Sequence, residues 1–373
     1  MSLVQRVLNN LEERRQRILR GDINCIPSPF KGFRNDFPGI EQGKYYCISG
    51  GSKSGKSQIT NYLFLYTPIL YSYYHPERLR VQIFYFPLEE TPEKITMRFM
   101  CHLLYILSGK KIRIDSMELQ SINKEKMVSK DILNLLNSID YKSILQFYED
   151  HVHFITERNP TAAWKVVNRY AEEAGTVHRK TVTIENKETG IKQEKEVFDY
   201  YEPKDPDEYV IIIWDHQSLT SVERNKNLKE SIDKLSEYFM IFRNHYNYIP
   251  VMVAQQNIET IGLDAFKANK IRPTLAGIAD SKNVGKDCSM MLGITNPYAF
   301  EVPEYLKYDI RQLKGYARFL EVVLSREGES NGVLAMYFDG ATNFFSPLPP
   351  SNDLISLQKI YNHIKVLTTP KTK

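Results

Sequence analysis

The sequence predicts an α/β fold built on a mostly parallel sheet, and three observations carry that expectation. Residues 50–57 read Gly-Gly-Ser-Lys-Ser-Gly-Lys-Ser, a complete G-x-x-x-x-G-K-[ST] phosphate loop. The runs 81–86 (VQIFYF), 209–214 (YVIIIW) and 250–254 (PVMVA) are continuously apolar, as parallel strands covered on both faces must be. Helical stretches alternate with them, which places ligands at the carboxyl ends of the strands.

In chain order, residues 3–20 set Val4, Val7, Leu8 and Leu11 at i, i+3, i+4 and i+7, an amphipathic helix that continues into Arg14, Arg15, Arg17 and Arg20. Its apolar stripe needs a surface to bury against, either in its own domain or on a neighbouring subunit. A stretch rich in Gly, Pro and Asn (21–43) leads to the first core strand, 44–49 (KYYCIS), and a helix is expected to follow the phosphate loop over 58–66. Further strands are expected at 151–155, 289–294, 318–325 and 333–338, with helices at 92–107, 161–174 and 228–245. The last two strands, joined by a short Gly-containing link, predict an antiparallel edge hairpin. Residues 176–201 break the alternation and read as two polar strands about Asn186-Lys187-Glu188-Thr189-Gly190. That projection is either a solvated insertion or a contact for nucleic acid or a partner. The tail beyond Ser351 holds one apolar-periodic helix through Leu354, Leu357, Ile360, Tyr361 and Ile364. The division expected is a helix and linker over 1–38, a catalytic domain over 39–348 and a helical tail over 349–373.

Composition excludes several classes. With 42% hydrophobic and 25% charged residues the chain can bury a core, and no apolar run reaches the roughly 18 residues of a membrane span. Cys25, Cys47, Cys101 and Cys288 lack C-x-x-C spacing, so neither a zinc site nor a disulfide framework is expected, and a reducing, cytoplasmic location fits. No signal-peptide h-region precedes the first helix. A net charge of +4 permits nucleic-acid binding without arguing for it.

The phosphate loop supplies a cradle for a nucleoside triphosphate. Gly50, Gly51, Ser52, Lys53, Ser54 and Gly55 turn backbone N–H groups toward anionic oxygens, Lys56 reaches the outer phosphates, and Ser57 offers its hydroxyl to Mg2+. Hydrolysis needs a second metal anchor, a carboxylate to orient water and a cation for the γ-phosphate. Asp215, ending YVIIIW, stands at the metal-anchoring position. Glu89, after VQIFYF, stands where a water-polarising carboxylate belongs, with Glu90 as its neighbour and competitor. Gln255, after PVMVA, is placed to sense the γ-phosphate, with Gln256 and Asn257 beside it. Arg326, after RFLEVVLS, is the candidate arginine finger that reaches a neighbouring subunit's nucleotide, and a solvated turn arginine is its plain alternative.

These pieces, in this order, resemble the RecA-fold motor domain of DnaB-type replicative helicases. The segment Arg20-Gly21-Asp22-Ile23-Asn24-Cys25-Ile26-Pro27-Ser28-Pro29-Phe30 is similar to that family's linker, and Phe37-Pro38-Gly39-Ile40-Glu41-Gln42-Gly43 leads into the phosphate loop as it does there. Phe86-Pro87-Leu88-Glu89 stands where the family has Ser-Leu-Glu with its catalytic Glu. Ile213-Trp214-Asp215-His216 resembles the Walker B segment and Ala254-Gln255-Gln256-Asn257 the Ser-Gln-Leu-Asn segment. Residues 279–294 resemble the stretch after the second DNA-binding loop, Leu324-Ser325-Arg326-Glu327-Gly328 the finger region, and VLAMYFDGATNFF its closing strand.

The resemblance implies a RecA-like core, ATP with Mg2+, single-stranded DNA and a homo-oligomer, expected to be a hexameric ring, with primase or a loader as further partners and a bacteriophage as one source. It implies DNA-facing loops at 216–227, with Arg224, Lys226 and Lys229 nearby, and at 258–272, with Lys267, Lys270 and Arg272. The sequence departs from the family at three points. Arg326 stands alone, without the usual Lys two residues away. The domain through which such helicases contact primase has no counterpart ahead of the linker. The 176–201 hairpin is an addition. The same fold also serves RecA- or RadA-like recombinases and KaiC-like regulatory ATPases, and a low-turnover structural or loading protein is the rival from another class.

Overall fold

The computed structural model describes residues 3–185, 192–257, 271–328 and 332–369. Its centre is a nine-stranded sheet. In chain order its strands are β1 (Tyr46–Gly50), β2 (Arg80–Pro87), β3 (Val152–Phe154), β6 (Glu208–Asp215), β7 (Ile249–Gln255), β8 (Met290–Thr295), β9 (Ala317–Ser325), β10 (Val333–Asp339) and β11 (Phe344–Pro347). The missing numbers, β4 (Gly175–Glu185) and β5 (Lys192–Pro203), form a separate antiparallel hairpin. Across the sheet the order is β11-β10-β9-β8-β1-β7-β6-β2-β3. The six strands from β8 to β3 run parallel, and β9, β10 and β11 extend the sheet antiparallel. This is the predicted α/β class with a mostly parallel sheet.

The continuous apolarity of YVIIIW has the expected cause. Alternate residues of β6 enter two different cores: Tyr209, Ile211 and Ile213 face one, Val210, Ile212 and Trp214 the other. The first core is covered by α2, α3 (Pro92–Leu107) and α4 (Ile139–His151), where α2 is the unbroken succession Lys56–Thr60, Asn61–Tyr66 and Thr67–Tyr74, whose middle segment is a π-helix. The second is covered by α5 (Pro160–Ala174) and α6 (Leu228–Tyr246). A smaller third cluster joins the antiparallel strands to the tail helix α7 (Leu354–Thr368), through Leu357 and Ile364.

The segment between the first helix and the sheet folds into the first core. Ile23, Ile26, Phe30, Phe33 and Phe37 are buried there, and Ile26-Pro27 pairs antiparallel with Gly39-Ile40. By contrast α1 (Leu3–Leu19) leaves Val4, Val7, Leu8 and Leu11 each at least half exposed.

Three expectations are revised. The strands at 317–325 and 333–339 are antiparallel neighbours, but β11 lies outside them, so they are not the edge. The run VLAMYFDGATNFF is therefore two strands: Asp339 accepts a hydrogen bond from the Ala341 N–H at 3.1 Å, and Asn343 takes a left-handed φ of 48°, which turns the chain back. The helix after the phosphate loop runs well past 66. Finally, the stretch between Leu107 and Val152 folds into helices at Ser116–Leu119, Lys130–Leu136 and Ile139–His151, where the sequence predicts none. The first two are short, and Asp115 and Ser129 cap them.

Candidate functional site

The parallel ladder brings five strand ends to one edge. Gly50 of β1 lies opposite Gln255 of β7 on one side and Ile294 of β8 on the other, and Pro87 of β2 lies opposite Asp215 of β6. The phosphate loop leaves β1 at this edge. Gly50 has no room for a side chain, since a Cβ would sit 2.5 Å from the Ile294 carbonyl oxygen, and Gly55 holds a left-handed φ of 101° at the start of α2. The N–H groups of the first turn of α2 thus open toward the cleft, an arrangement suited to anions. Lys56 is largely buried, and its Nζ donates to the Gly51 carbonyl at 2.9 Å. Burial lowers its pKa, and Asp215 and Glu89 oppose that shift.

A cavity of about 310 Å³ opens here, lined by loop residues together with Glu89, Glu90, His216 and Gln255. Three larger clefts, of about 440, 590 and 680 Å³, contain no phosphate-loop residue. Behind the cavity Asp215 is buried. Its Oδ2 accepts a 3.3 Å hydrogen bond from Tyr85 Oη, and its Oδ1 is buried without a partner. Burial above all, then Glu89 and Glu90, push its pKa up to about 6, against the Ser57 hydroxyl and Lys56, which lower it. A buried carboxylate oxygen without a partner, beside a serine hydroxyl, fits a divalent cation held between Ser57 and Asp215.

The structure separates the paired candidates. Glu90 is engaged by Arg98, with both carboxylate oxygens accepting from the guanidinium. Glu89 stays more than half exposed on the cavity, its Oε2 3.7 Å from His216 Nε2. Likewise Gln256 is buried, and its side chain is taken up by Ser49 Oγ at 2.8 Å and the Thr274 carbonyl at 2.9 Å, whereas Gln255 lines the cavity. His216 was missed by the sequence reading. Burial lowers its pKa while Glu89 opposes, and its Nδ1 is buried without a partner. Its one signal was its place directly after Asp215.

Arg326 is not brought to this cavity. Because β9 runs antiparallel, its last residue, Ser325, pairs with Met290 and so lies level with Tyr46, at the opposite end of β1 from the loop. The Arg326 Nε donates to the Cys288 carbonyl at 2.9 Å, and Nη2 donates to the Lys286 carbonyl. Of the basic loop residues, Arg224 and Lys226 are exposed on a stretch pinned by buried Glu223, which accepts from Thr161 and Lys234. Lys229 is paired with Asp233 at 3.1 Å, and Arg272 with buried Glu321 at 3.5 Å. Lys267 and Lys270 lie outside the described residues. On the hairpin, Lys180 pairs with Asp199 and His178 with Glu202.

No family model matches the sequence, and neither does any curated protein. Solved structures do match in fold. The ATPase domain of G40p aligns over 93% of this chain and 99% of its own, with a TM-score of 0.63 at 12% identity. A DnaB-like replicative helicase, described with its interactions with primase, aligns over 94% of this chain and 67% of its own, with a TM-score of 0.60 and again 12% identity. The chain therefore has the RecA-like fold of these helicase ATPase domains. Among the described residues no helix is long and apolar enough to cross a membrane.

The buried carboxylate sets a pH dependence. The folded pKa of Asp215, about 6, lies above the ordinary aspartate value of 3.8, so its contribution to stability is complete below pH 4 and is lost as pH rises through 6. Asp215→Asn, which cannot ionise, is expected to be more stable than the wild type at pH 7 to 8 without metal, by up to about 3 kcal/mol. Urea unfolding across pH should show that difference shrinking below about pH 6 and vanishing near pH 4. A difference independent of pH would contradict the assignment.

Proposed function

We propose that the chain is an ATP-dependent DNA translocase or helicase of the DnaB type, which acts on single-stranded DNA in replication and assembles as a ring. The observation that carries this reading is the convergence of Lys56, Ser57, Glu89 and Gln255 on one cleft, with Asp215 buried behind it, on a fold shared with helicase ATPase domains. Lys56 and the loop N–H groups bind the phosphates. Ser57 and Asp215 would hold Mg2+, which would offset the phosphate charge when bound. Glu89 orients the attacking water, free to do so because Arg98 engages its neighbour. Gln255 reads the γ-phosphate from the end of β7.

The missing part is a cation for the transition state. Arg326, at the far end of the sheet from its own loop, suits a neighbouring subunit's nucleotide better than its own. The exposed stripe Val4, Val7, Leu8 and Leu11 offers a surface for that neighbour, a second copy of this chain. Arg224 and Lys226 are the exposed cations available to a DNA backbone. One observation favours an alternative, a nucleotide-binding loading or structural protein with little turnover: Arg326 is tied to carbonyls of its own chain, and a finger must leave them.

Steady-state ATP hydrolysis with and without single-stranded DNA tests the reading. The expected result is DNA-stimulated turnover that Lys56→Ala abolishes. Glu89→Gln is expected to retain nucleotide binding and lose about 10²- to 10⁴-fold in rate, while Glu90→Gln loses less. Equal losses for both variants would overturn the assignment of Glu89, and binding without turnover would favour the loading protein. Replacing Leu8 with Glu is expected to break the assembly into smaller species by mass photometry, and an unchanged mass would remove α1 from the interface.

A further inference from the structure

Arg318, the second residue of β9, is 6% exposed, yet among the described residues no acidic side chain answers it. Its Nη1 donates to the Gly315 and Ala317 carbonyls at 2.8 and 2.7 Å, its guanidinium lies 4.9 Å over the Phe338 ring, and its Nε is buried without a partner. Burial alone lowers its pKa, to about 10, so it remains a cation at neutral pH. An isolated buried charge is unfavourable, and proteins keep one mainly where something completes it.

Its position says what that is. Arg318 lies near the end of β9 that pairs with Thr295 through Phe319, level with the loop end of β1 and opposite Arg326. There its Nε is 3.3 Å from where a side chain on Gly55 would begin, so the guanidinium stands against the turn that starts α2. Nearby, Ser54 Oγ, Thr295 Oγ1 and Asn296 Oδ1 are also buried and unpartnered. The Asn296 Nδ2 donates to the Lys53 carbonyl at 3.2 Å, which ties β8 to the loop.

We propose that Arg318 is a nucleotide-binding residue of the same subunit, a cation for the phosphate chain that the phosphate loop cradles. The inference rests on the nucleotide-site reading above and adds a residue that the loop pattern does not contain. The anion supplies the counter-charge that the folded chain withholds, so part of the cost of burying the guanidinium returns as affinity on binding.

The test compares Arg318→Met and Arg318→Lys with the wild type, using a fluorescent ADP analogue, with adenosine as a competitor that lacks phosphates. Thermal unfolding is followed without nucleotide, and Lys56→Ala serves as control. Arg318→Met is expected to melt at or above the wild type without nucleotide, because it removes an unpaired buried charge. It is expected to bind ADP about tenfold or more weakly, with adenosine competition unchanged, and Arg318→Lys should recover part of the affinity. An ADP affinity within about twofold of wild type, or a nucleotide-free Met variant that melts below wild type, would overturn the proposal, since the second result marks a merely structural arginine. If the wild type binds no nucleotide, or Lys56→Ala binds as well as wild type, the nucleotide-site reading fails instead. If Lys56→Ala loses binding and Arg318→Met does not, only the role of Arg318 falls.

Discussion

The register of the parallel ladder is the constraint on which the site depends. Gly50 faces Gln255 and Ile294, and Pro87 faces Asp215, so the groups that follow these strands meet at one edge. A slip of one residue in any of these pairings would turn the corresponding strand's core residues to the wrong face. Burial on both sides of the sheet prevents that slip, as the alternation of Ile211 and Ile213 with Ile212 and Trp214 between two cores makes plain. Packing far from any ligand thereby fixes the distances within the cleft.

On that frame the chain keeps several charges in poor solvent. Asp215 has one oxygen without a partner, Lys56 leans on a carbonyl of its own loop, and Arg318 meets no carboxylate among the described residues. Elsewhere the charges the chain buries are paired: Asp339 with Arg113, Glu223 with Lys234, Glu321 with Arg272. Pairing where a charge is structural, and its absence around the phosphate loop, is the pattern expected of a site completed by a polyanion and its metal. On the proposed function, the arrangement would trade stability of the empty protein for affinity.

Much of this was legible in the sequence because it is local. The loop pattern spans eight residues, and apolar runs such as YVIIIW declare a two-sided burial that no solvent-facing strand could tolerate. What the sequence could not decide was set by distant partners. Glu89 and Glu90 look alike until Arg98, a turn into the next helix, engages one of them. Gln255, the last residue of β7, lines the cavity, whereas Gln256 just beyond it is held by Ser49 and Thr274. Arg272 reads as a DNA-facing cation until Glu321, 49 residues on, takes it. Arg318 gave no signal, because its meaning comes from the meeting of β9 with the first turn of α2. The edge strand β11 was hidden for a similar reason: the turn at 339–343 is made by the Asp339 side chain and the left-handed backbone of Asn343 rather than by a proline or a Gly-rich loop.

The proposed motor would have a nearly complete cleft within one subunit and would take its remaining cation from a second copy. Strand displacement on a forked DNA substrate tests this most directly, with ATP, with a non-hydrolysable analogue and with no nucleotide. The account predicts displacement with ATP alone, from an assembled species larger than the monomer. Hydrolysis stimulated by DNA with no displacement, or a continuous filament coating the single strand, would contradict it.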